Sequence, residues 1–400
     1  MFQLEQNKRG MQEEQTLYAL AREGNLRTLP EAEHDGVWIG QDGRRMLNVA
    51  SNDYLGLASD RGLQKEFLRS VPEGDRLLSA SSSRLLTGNF AVHRELEVLL
   101  AGRFGRESAL TFSSGYHLNT GILPAVADGH TLILADKLVH ASLIDGIRLS
   151  AARCIRYRHQ DYRQLQSLVE KHHAAFDRLI IVTESVFSMD GDVAPLAALA
   201  ELKKAYPNVM LYVDEAHAVG VRGRHGLGIA EEQGCLADID FLCGTFGKAL
   251  ASVGAYVVCS RLMHDYLVNR MRTLIFTTAL PPLNVAWTKF VFSRLDGWED
   301  RRIRLASMAE KVRGAVRRAG YPCPSESHIV PLVVGESEKA VLKAAEMQQN
   351  GFYVLPVRPP TVPEGTSRLR LSLTAALPEA EMERLVEAIE APSIPSEGGT

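Results

Sequence analysis

The 400-residue sequence predicts an α/β fold: a mostly parallel central sheet covered by helices, with a small α+β domain at the C-terminal end. Three observations predict it. From about residue 49 to 282, short apolar runs alternate with helix-length amphipathic stretches, the pattern of strands joined by crossovers. The runs are continuously apolar, as in strands buried on both faces. Past the break at Pro281-Pro282 the alternation stops.

Residues 1–48 are charged and helix-forming, then turn-rich. Leu17, Leu20 and Ala21 predict one short amphipathic helix, too polar to stand alone. Residues 49–282 are expected to form the large domain. Its strands fall at Ser108–Phe112, Thr131–Ala135, Arg178–Thr183, Val209–Val213, Phe241–Cys243 and Ala255–Cys259, with helices such as Tyr162–His172 and Leu196–Tyr206 between them. Residues 283–320 read as one long Arg-rich helix. Strand-like runs at Ile329–Val334 and Leu369–Leu373, around a helix from 337 to 350, complete a small domain over 283–391. The Pro/Ser/Gly-rich tail 392–400 is expected to be disordered.

Composition narrows the function. Hydrophobic residues are 46% and charged residues 23%, ordinary for a globular chain, and the net charge of -3 gives no footprint for nucleic acid or an anionic membrane. Five scattered cysteines without a Cys-x-x-Cys pair read as reduced thiols of a cytoplasmic protein. The N-terminal stretch, with Glu5, Lys8, Arg9, Glu13 and Glu14, lacks the apolar core of a signal peptide. No apolar run approaches the roughly 20 residues that span a bilayer.

The chemistry-bearing residues follow the predicted strands, where open α/β sheets bind ligands. Lys248 lies in Thr245-Phe246-Gly247-Lys248 after the strand at Phe241, and Asp214 and His217 follow the strand ending at Val213. An amine, a carboxylate and an imidazole in these places are the parts needed to use pyridoxal 5′-phosphate (PLP). The amine forms a Schiff base with the cofactor aldehyde, the carboxylate keeps the pyridine nitrogen protonated, and the imidazole reaches the phenolic oxygen. Taken singly, the same residues describe a surface lysine after a Gly turn, an N-cap aspartate and a core histidine. A P-loop is excluded, because Gly244 and Gly247 bracket only two residues and Ala249 stands where Ser or Thr is required. A metal site lacks a third ligand at a usual spacing, so none is expected.

Ser113-Ser114-Gly115-Tyr116 opens a predicted helix whose N-terminus suits a phosphate, and Thr245 and Ser188 add hydroxyls. It is not a nucleophile elbow, since Thr111 replaces the first glycine. His140 suits ring stacking and proton transfer, though read alone it fits a buried cap better. Arg368 and Arg370 share one face of a predicted strand, as a carboxylate grip or a solvated surface.

The ordered motifs resemble the α-oxoamine synthase family of fold-type I PLP-dependent enzymes. They run from Ser51-Asn52-Asp53-Tyr54-Leu55-Gly56-Leu57 through Ser83-Arg84-Leu85-Leu86-Thr87-Gly88, His140-Ala141-Ser142-Leu143 and Glu184-Ser185-Val186-Phe187-Ser188-Met189-Asp190-Gly191-Asp192. Asp214-Glu215-Ala216-His217, the Lys248 motif and Leu373-Thr374-Ala375-Ala376 complete the set. The resemblance implies catalytic roles for Lys248, His140, Asp214 and His217, and cofactor contacts from Gly115, Tyr116, Ser188 and Thr245. It implies that Thr277 reaches the phosphate of a neighbouring subunit in a homodimer with interfacial sites. It also implies substrate contacts from Asn52 and Arg370, from Arg358 and Thr361 on the acyl side, and from an N-terminal arginine, Arg27 or Arg22. Arg358-Pro359-Pro360-Thr361-Val362-Pro363 is the feature that favours the biotin-pathway member. The implied reaction is a decarboxylative Claisen condensation of L-alanine with a pimeloyl thioester of CoA or acyl carrier protein, giving 8-amino-7-oxononanoate. Glycine C-acetyltransferase, 5-aminolevulinate synthase and serine palmitoyltransferase share the main motifs. A silent partner subunit would be expected to lack Lys248. Two departures stand out: Ser79-Ala80-Ser81-Ser82 replaces a glycine-rich lead-in, and Ala218-Val219-Gly220 follows His217.

Overall fold

The computed structural model describes residues 2–27 and 29–391. Its strands are Glu33–Asp35 (β1), Trp38–Gln41 (β2), Arg44–Asn48 (β3), Ser108–Phe112 (β4), Thr131–Asp136 (β5), Arg153–Tyr157 (β6), Arg178–Glu184 (β7), Val209–Asp214 (β8), Phe241–Thr245 (β9), Ala255–Cys259 (β10), Ile329–Gly335 (β11), Phe352–Tyr353 (β12), Pro356–Val357 (β13) and Ser367–Ser372 (β14). Seven of them form the central sheet in the order β4-β10-β9-β8-β7-β5-β6. All neighbours run parallel except β10, which lies antiparallel to both β4 and β9. Every residue of β4, β5 and β10 is buried, which accounts for their unbroken apolar runs.

β9 and β10 are joined by a short hairpin rather than a crossover. It is closed by Phe246 N–H to Gly254 O at 2.9 Å and by the Thr245 hydroxyl to the same carbonyl at 3.0 Å. Lys248 sits in this hairpin. Because β4 and β9 flank β10, the chain after β4 and the chain after β9 emerge at the same end of the sheet.

Two smaller sheets bind the ends of the chain. β11, β14 and β13 form an antiparallel sheet, and β1-β2-β3-β12 joins the N-terminal segment to the C-terminal one. β3 runs parallel to β12, with Leu47 opposite Phe352. Leu47 N–H donates to Gly351 O at 2.7 Å, and Ser372 N–H donates to Val49 O at 2.7 Å.

Three expectations are corrected. The N-terminal helix spans Phe2–Arg22, much longer than the one short helix predicted. The stretch expected to be turn-rich holds three strands. Asp42 and Gly43, at φ 52° and 72°, turn β2 into β3 as a two-residue Asp-Gly hairpin loop. The long helix over 283–320 is two helices, Pro282–Phe292 and Glu299–Arg318, separated by a 3₁₀ turn at Leu295–Trp298. The break falls at Asp296-Gly297, where glycine lowers helix propensity and Arg103 and His225 hold the Asp296 carboxylate. Two arginines near the start of the second helix clasp carbonyls rather than face solvent. Arg302 donates to Leu295 O and Arg224 O, each at 2.7 Å, and Arg301 donates to Leu55 O at 3.0 Å.

The helix Tyr162–His172 lies where predicted, and the next ends at Lys204. The tail call, 392–400, lies outside the described residues. Among the described residues no helix is long and apolar enough to cross a membrane.

Candidate active site

The site gathers at the C-terminal ends of β5, β7, β8 and β9. Parallel pairing of β7 and β8 places Glu184 opposite Asp214, and β8 pairs with β9 so that Asp214 meets Cys243. Past β8 the chain turns at Ala216, whose N–H donates to Asp214 Oδ1 at 2.9 Å. That turn swings His217 toward the β9–β10 hairpin. His217 Nε2 lies 2.9 Å from Lys248 Nζ, and His217 Nδ1 lies 2.7 Å from the Tyr54 hydroxyl.

Asp214 is held on both oxygens. Asn119, from the helix Gly115–Val126, donates to Oδ2 at 3.0 Å. Asn119 in turn accepts the Tyr212 hydroxyl at 2.6 Å and donates to the Ser142 hydroxyl at 2.9 Å. The carboxylate is therefore fixed in orientation before any ligand arrives.

The electrostatics are those of a dry pocket with few counter-charges. Burial pushes the Lys248 ammonium down to about 8, and Arg370 adds to this against the pull of Asp214 and Glu184. Burial pushes the Glu184 carboxyl up to about 8, and the nearby Asp214 charge adds to it. Burial also holds His217 well below the ordinary imidazole value, with Lys248 and Arg370 contributing, so His217 is neutral.

His140 caps the helix Ala141–Leu149, taking the Ser142 N–H on Nδ1 at 3.2 Å. Its own N–H donates to the Glu184 carboxyl, which ties the β5 loop to β7. A buried ionic cluster braces the same loop. His159 bridges Asp136, at the end of β5, and Asp192, at 2.9 and 2.8 Å. Burial alone pulls the His159 pKa down, but the two carboxylates outweigh it and hold the imidazolium up to about 10.

The helix Gly115–Val126 begins at the same end of the sheet. Ser114 caps it by accepting the His117 N–H at 3.1 Å, and the space beside Gly115 is open. Tyr116 is half-exposed and donates its hydroxyl to Asp145. Thr245 accepts the Gly247 N–H at 3.3 Å. Ser188 is nearly buried, and its carbonyl accepts Arg370 Nε at 2.5 Å. Thr277 lines a small cleft with Arg84, Thr111 and Ser113 and is not joined to the Lys248 network within one chain.

Arg370 and Asn52 meet although they stand 318 positions apart: Arg370 Nη1 donates to Asn52 Oδ1 at 3.2 Å. Arg368, on the same strand face, is bound to Asp190. On another side, Arg27 donates to the Thr361 hydroxyl at 2.9 Å. Arg27, Arg358 and Thr361 line one open cleft of about 500 Å³ that also touches Met189, next to Ser188. Of the two N-terminal arginine candidates, Arg27 is on this cleft, whereas Arg22 ends the first helix.

Several residues here were not read from the sequence. Glu184 and Asn119 carry a signal only in retrospect, as polar residues buried beside Asp214. Tyr54 has none beyond its closeness to Asn52, because its partners are distant in sequence.

The arrangement offers an amine able to react near neutrality, a carboxylate preset by two donors, and a helix N-terminus with open space before it. These fit the aldehyde, the pyridine nitrogen and the phosphate of PLP.

The family model described as aminotransferase class I and II matches residues 44–389. The chain belongs to the class I and II aminotransferase family. It is 57% identical over 380 residues to the 8-amino-7-oxononanoate synthase of Haemophilus ducreyi, covering 93% of this chain and 98% of that protein. Among solved structures, it is similar to a serine palmitoyltransferase from S. paucimobilis with a bound PLP–myriocin aldimine. That match has a TM-score of 0.86 and 29% identity, over 95% of this chain and 96% of the other. The 8-amino-7-oxononanoate synthase of Francisella tularensis matches with a TM-score of 0.74 and 28% identity, over 86% and 97%. Membership in this family accords with a fold-type I transferase architecture.

Proposed function

We propose that this chain condenses L-alanine with a pimeloyl thioester, releasing carbon dioxide, to give 8-amino-7-oxononanoate, the step named for its relatives in biotin synthesis. PLP is its cofactor. The observation that carries this reading is the Lys248 amine, 2.9 Å from His217 and beside the preset Asp214, in a chain 57% identical to a synthase of that name.

When bound, PLP supplies an aldehyde for covalent attachment and a conjugated ring that withdraws the electron pair left at the amino-acid Cα. The chain's own residues do the rest. Lys248 anchors the cofactor and, once freed, takes the Cα proton. With its pKa at about 8, roughly a tenth of it is neutral at pH 7. Asp214 holds a proton at the pyridine nitrogen, and Asn119 and the Ala216 N–H keep its carboxylate aimed. His217 would face the phenolic oxygen, and His140 would stack on the ring. Gly115 and Tyr116, at the helix start, with Ser188 and Thr245, hold the phosphate. Arg370 and Asn52 grip the alanine carboxylate. The cleft of Arg27, Arg358 and Thr361 takes the acyl thioester.

We assign the working form to a homodimer in which Thr277 completes the phosphate site of a second copy. Leu78, Leu86 and Phe276 support it, being 80%, 79% and 71% exposed on neighbouring segments. Ala279 N–H to Ser82 O and Leu283 N–H to Leu77 O join those segments. The five free cysteines support a cytoplasmic setting.

The test is thiol release by the purified protein with PLP and pimeloyl-CoA, given alanine or glycine in parallel. Alanine-dependent turnover is expected. Turnover only with glycine or serine and another acyl-CoA would reassign the substrates.

A further inference from the structure

A buried row of hydrogen bonds links the Arg370–Asn52 clamp to Lys248, and Tyr54 stands in its middle. The Tyr54 side chain is fully buried. Its hydroxyl has three partners: His217 Nδ1 at 2.7 Å, Asn52 Oδ1 at 3.0 Å and Arg370 Nη2 at 3.4 Å. A hydroxyl has one proton to give. Arginine only donates, and Asn52 Oδ1 only accepts, also taking Arg370 Nη1. Only His217 can play either role.

Two arrangements follow. In the first, Tyr54 donates to Asn52, His217 Nδ1–H donates to Tyr54, and the bare Nε2 accepts from Lys248. In the second, Tyr54 turns its proton to Nδ1, and His217 carries its hydrogen on Nε2, facing the Lys248 side. An ammonium at Lys248 has no lone pair and permits only the first. A neutral amine, or a ligand oxygen beside His217, accepts from Nε2–H and permits the second.

We propose that Tyr54 is a positioning residue: the direction of its hydroxyl sets which nitrogen of His217 carries the hydrogen, and so links the Asn52–Arg370 clamp to Lys248. The choice is binary because His217 is neutral and buried. The ring of Tyr54 is held for this purpose. The buried His328 meets it edge-on, with ring centroids 4.0 Å apart at 68°. Ala375 N–H donates to the Tyr54 carbonyl at 2.8 Å. Among the described residues neither ring nitrogen of His328 has a hydrogen-bond partner, so its contact with Tyr54 is one of packing. An anionic ligand drawing on Arg370 and Asn52 thereby changes what Tyr54 can donate to, and the change arrives at Lys248 as a different face of His217.

This inference rests on the proposed site, but its test uses neither substrate nor turnover, so the two can fail separately. The full-length chain freed of cofactor is labelled at histidine, and NMR reads the His217 tautomer above pH 8, where the Lys248 amine is neutral and either arrangement is open, with the signal assigned by its loss in His217→Gln. The expected resting state is Nδ1–H. Asn52→Ala removes the acceptor for Tyr54, and His217 is expected to move toward Nε2–H. In Tyr54→Phe, which keeps the ring, adding Asn52→Ala is expected to change nothing at His217. Asn52→Ser, with its weaker acceptor, gives an intermediate shift and replaces Asn52→Ala if that variant does not fold. A His217 tautomer indifferent to Asn52 in the Tyr54 chain, or equally sensitive in Tyr54→Phe, overturns the proposal.

Discussion

The two halves of the site are built differently. The cofactor side sits at the ends of parallel strands. Asp214, His217 and Lys248 each have short, defined partners there, in surroundings that strip away water. The proposed acyl side is a cleft of loops, where Arg27 and Thr361 meet in an exposed hydrogen bond. The difference is one of tolerance. Proton transfer at a fixed atom needs a rigid frame and a shifted pKa. Recognition of a flexible acyl chain needs room and adjustable edges.

Mutations should separate the two halves. Lys248→Ala should abolish the visible absorbance of lysine-bound PLP and cut kcat by on the order of 10³-fold or more. Retained turnover would break the assignment of the cofactor side. Asp214→Asn keeps an oxygen for the Ala216 N–H but removes the charge. Its kcat should fall by about 10²-fold, and the melting temperature should drop somewhat because the new amide N–H faces the Asn119 donor. Arg370→Lys should raise KM for the amino acid by about ten- to a hundredfold, since charged hydrogen bonds contribute about 1.5–3 kcal/mol, and leave KM for the thioester nearly unchanged.

Two smaller effects sharpen the contrast. Capture of PLP by the cofactor-free chain needs the neutral amine of Lys248, whose ammonium is held down to about 8. The capture rate should rise with pH and level off above 8, being about fivefold slower at pH 7 than at pH 8. A stopped-flow rate that still climbed near pH 10 would mean an undisturbed lysine. Thr361→Val deletes one exposed hydrogen bond and should raise KM for the thioester by about threefold, with kcat intact.

The same contrast explains what the sequence could reveal. Strands β4, β5 and β7–β10 were legible because burial on both faces demands unbroken apolar runs. Lys248, Asp214 and His140 could be singled out as candidates because they stand within a few residues of the ends of those runs. The β1–β3 strands were not, since Glu33, His34 and Asp35 are exposed and the second pairing partner of β3, beyond the adjacent β2, lies some 300 residues away in sequence. The break at Asp296-Gly297 was hidden because Arg103 and His225, which hold it, come from other elements. Glu184, Tyr54 and the His159 cluster owe their meaning to neighbours that no local spacing announces. Thr277 lies apart from Lys248 in a single chain, so its expected role depends on a second copy.

The parallel pairing of β3 with β12 has a consequence in time. A chain is made from its N-terminus, so the β1–β3 segment and Asn52 leave the ribosome some 300 residues before Phe352 and Arg370 and must wait for them. The central sheet, from residue 108 to 259, can close while synthesis continues. Lys248 and Asp214 can therefore be in place before the stretch past residue 259 is made, whereas the hydrogen bond of Asn52 with Arg370 cannot form until Arg370 has been made. A newborn chain of this kind would assemble the proposed cofactor side before the proposed amino-acid clamp.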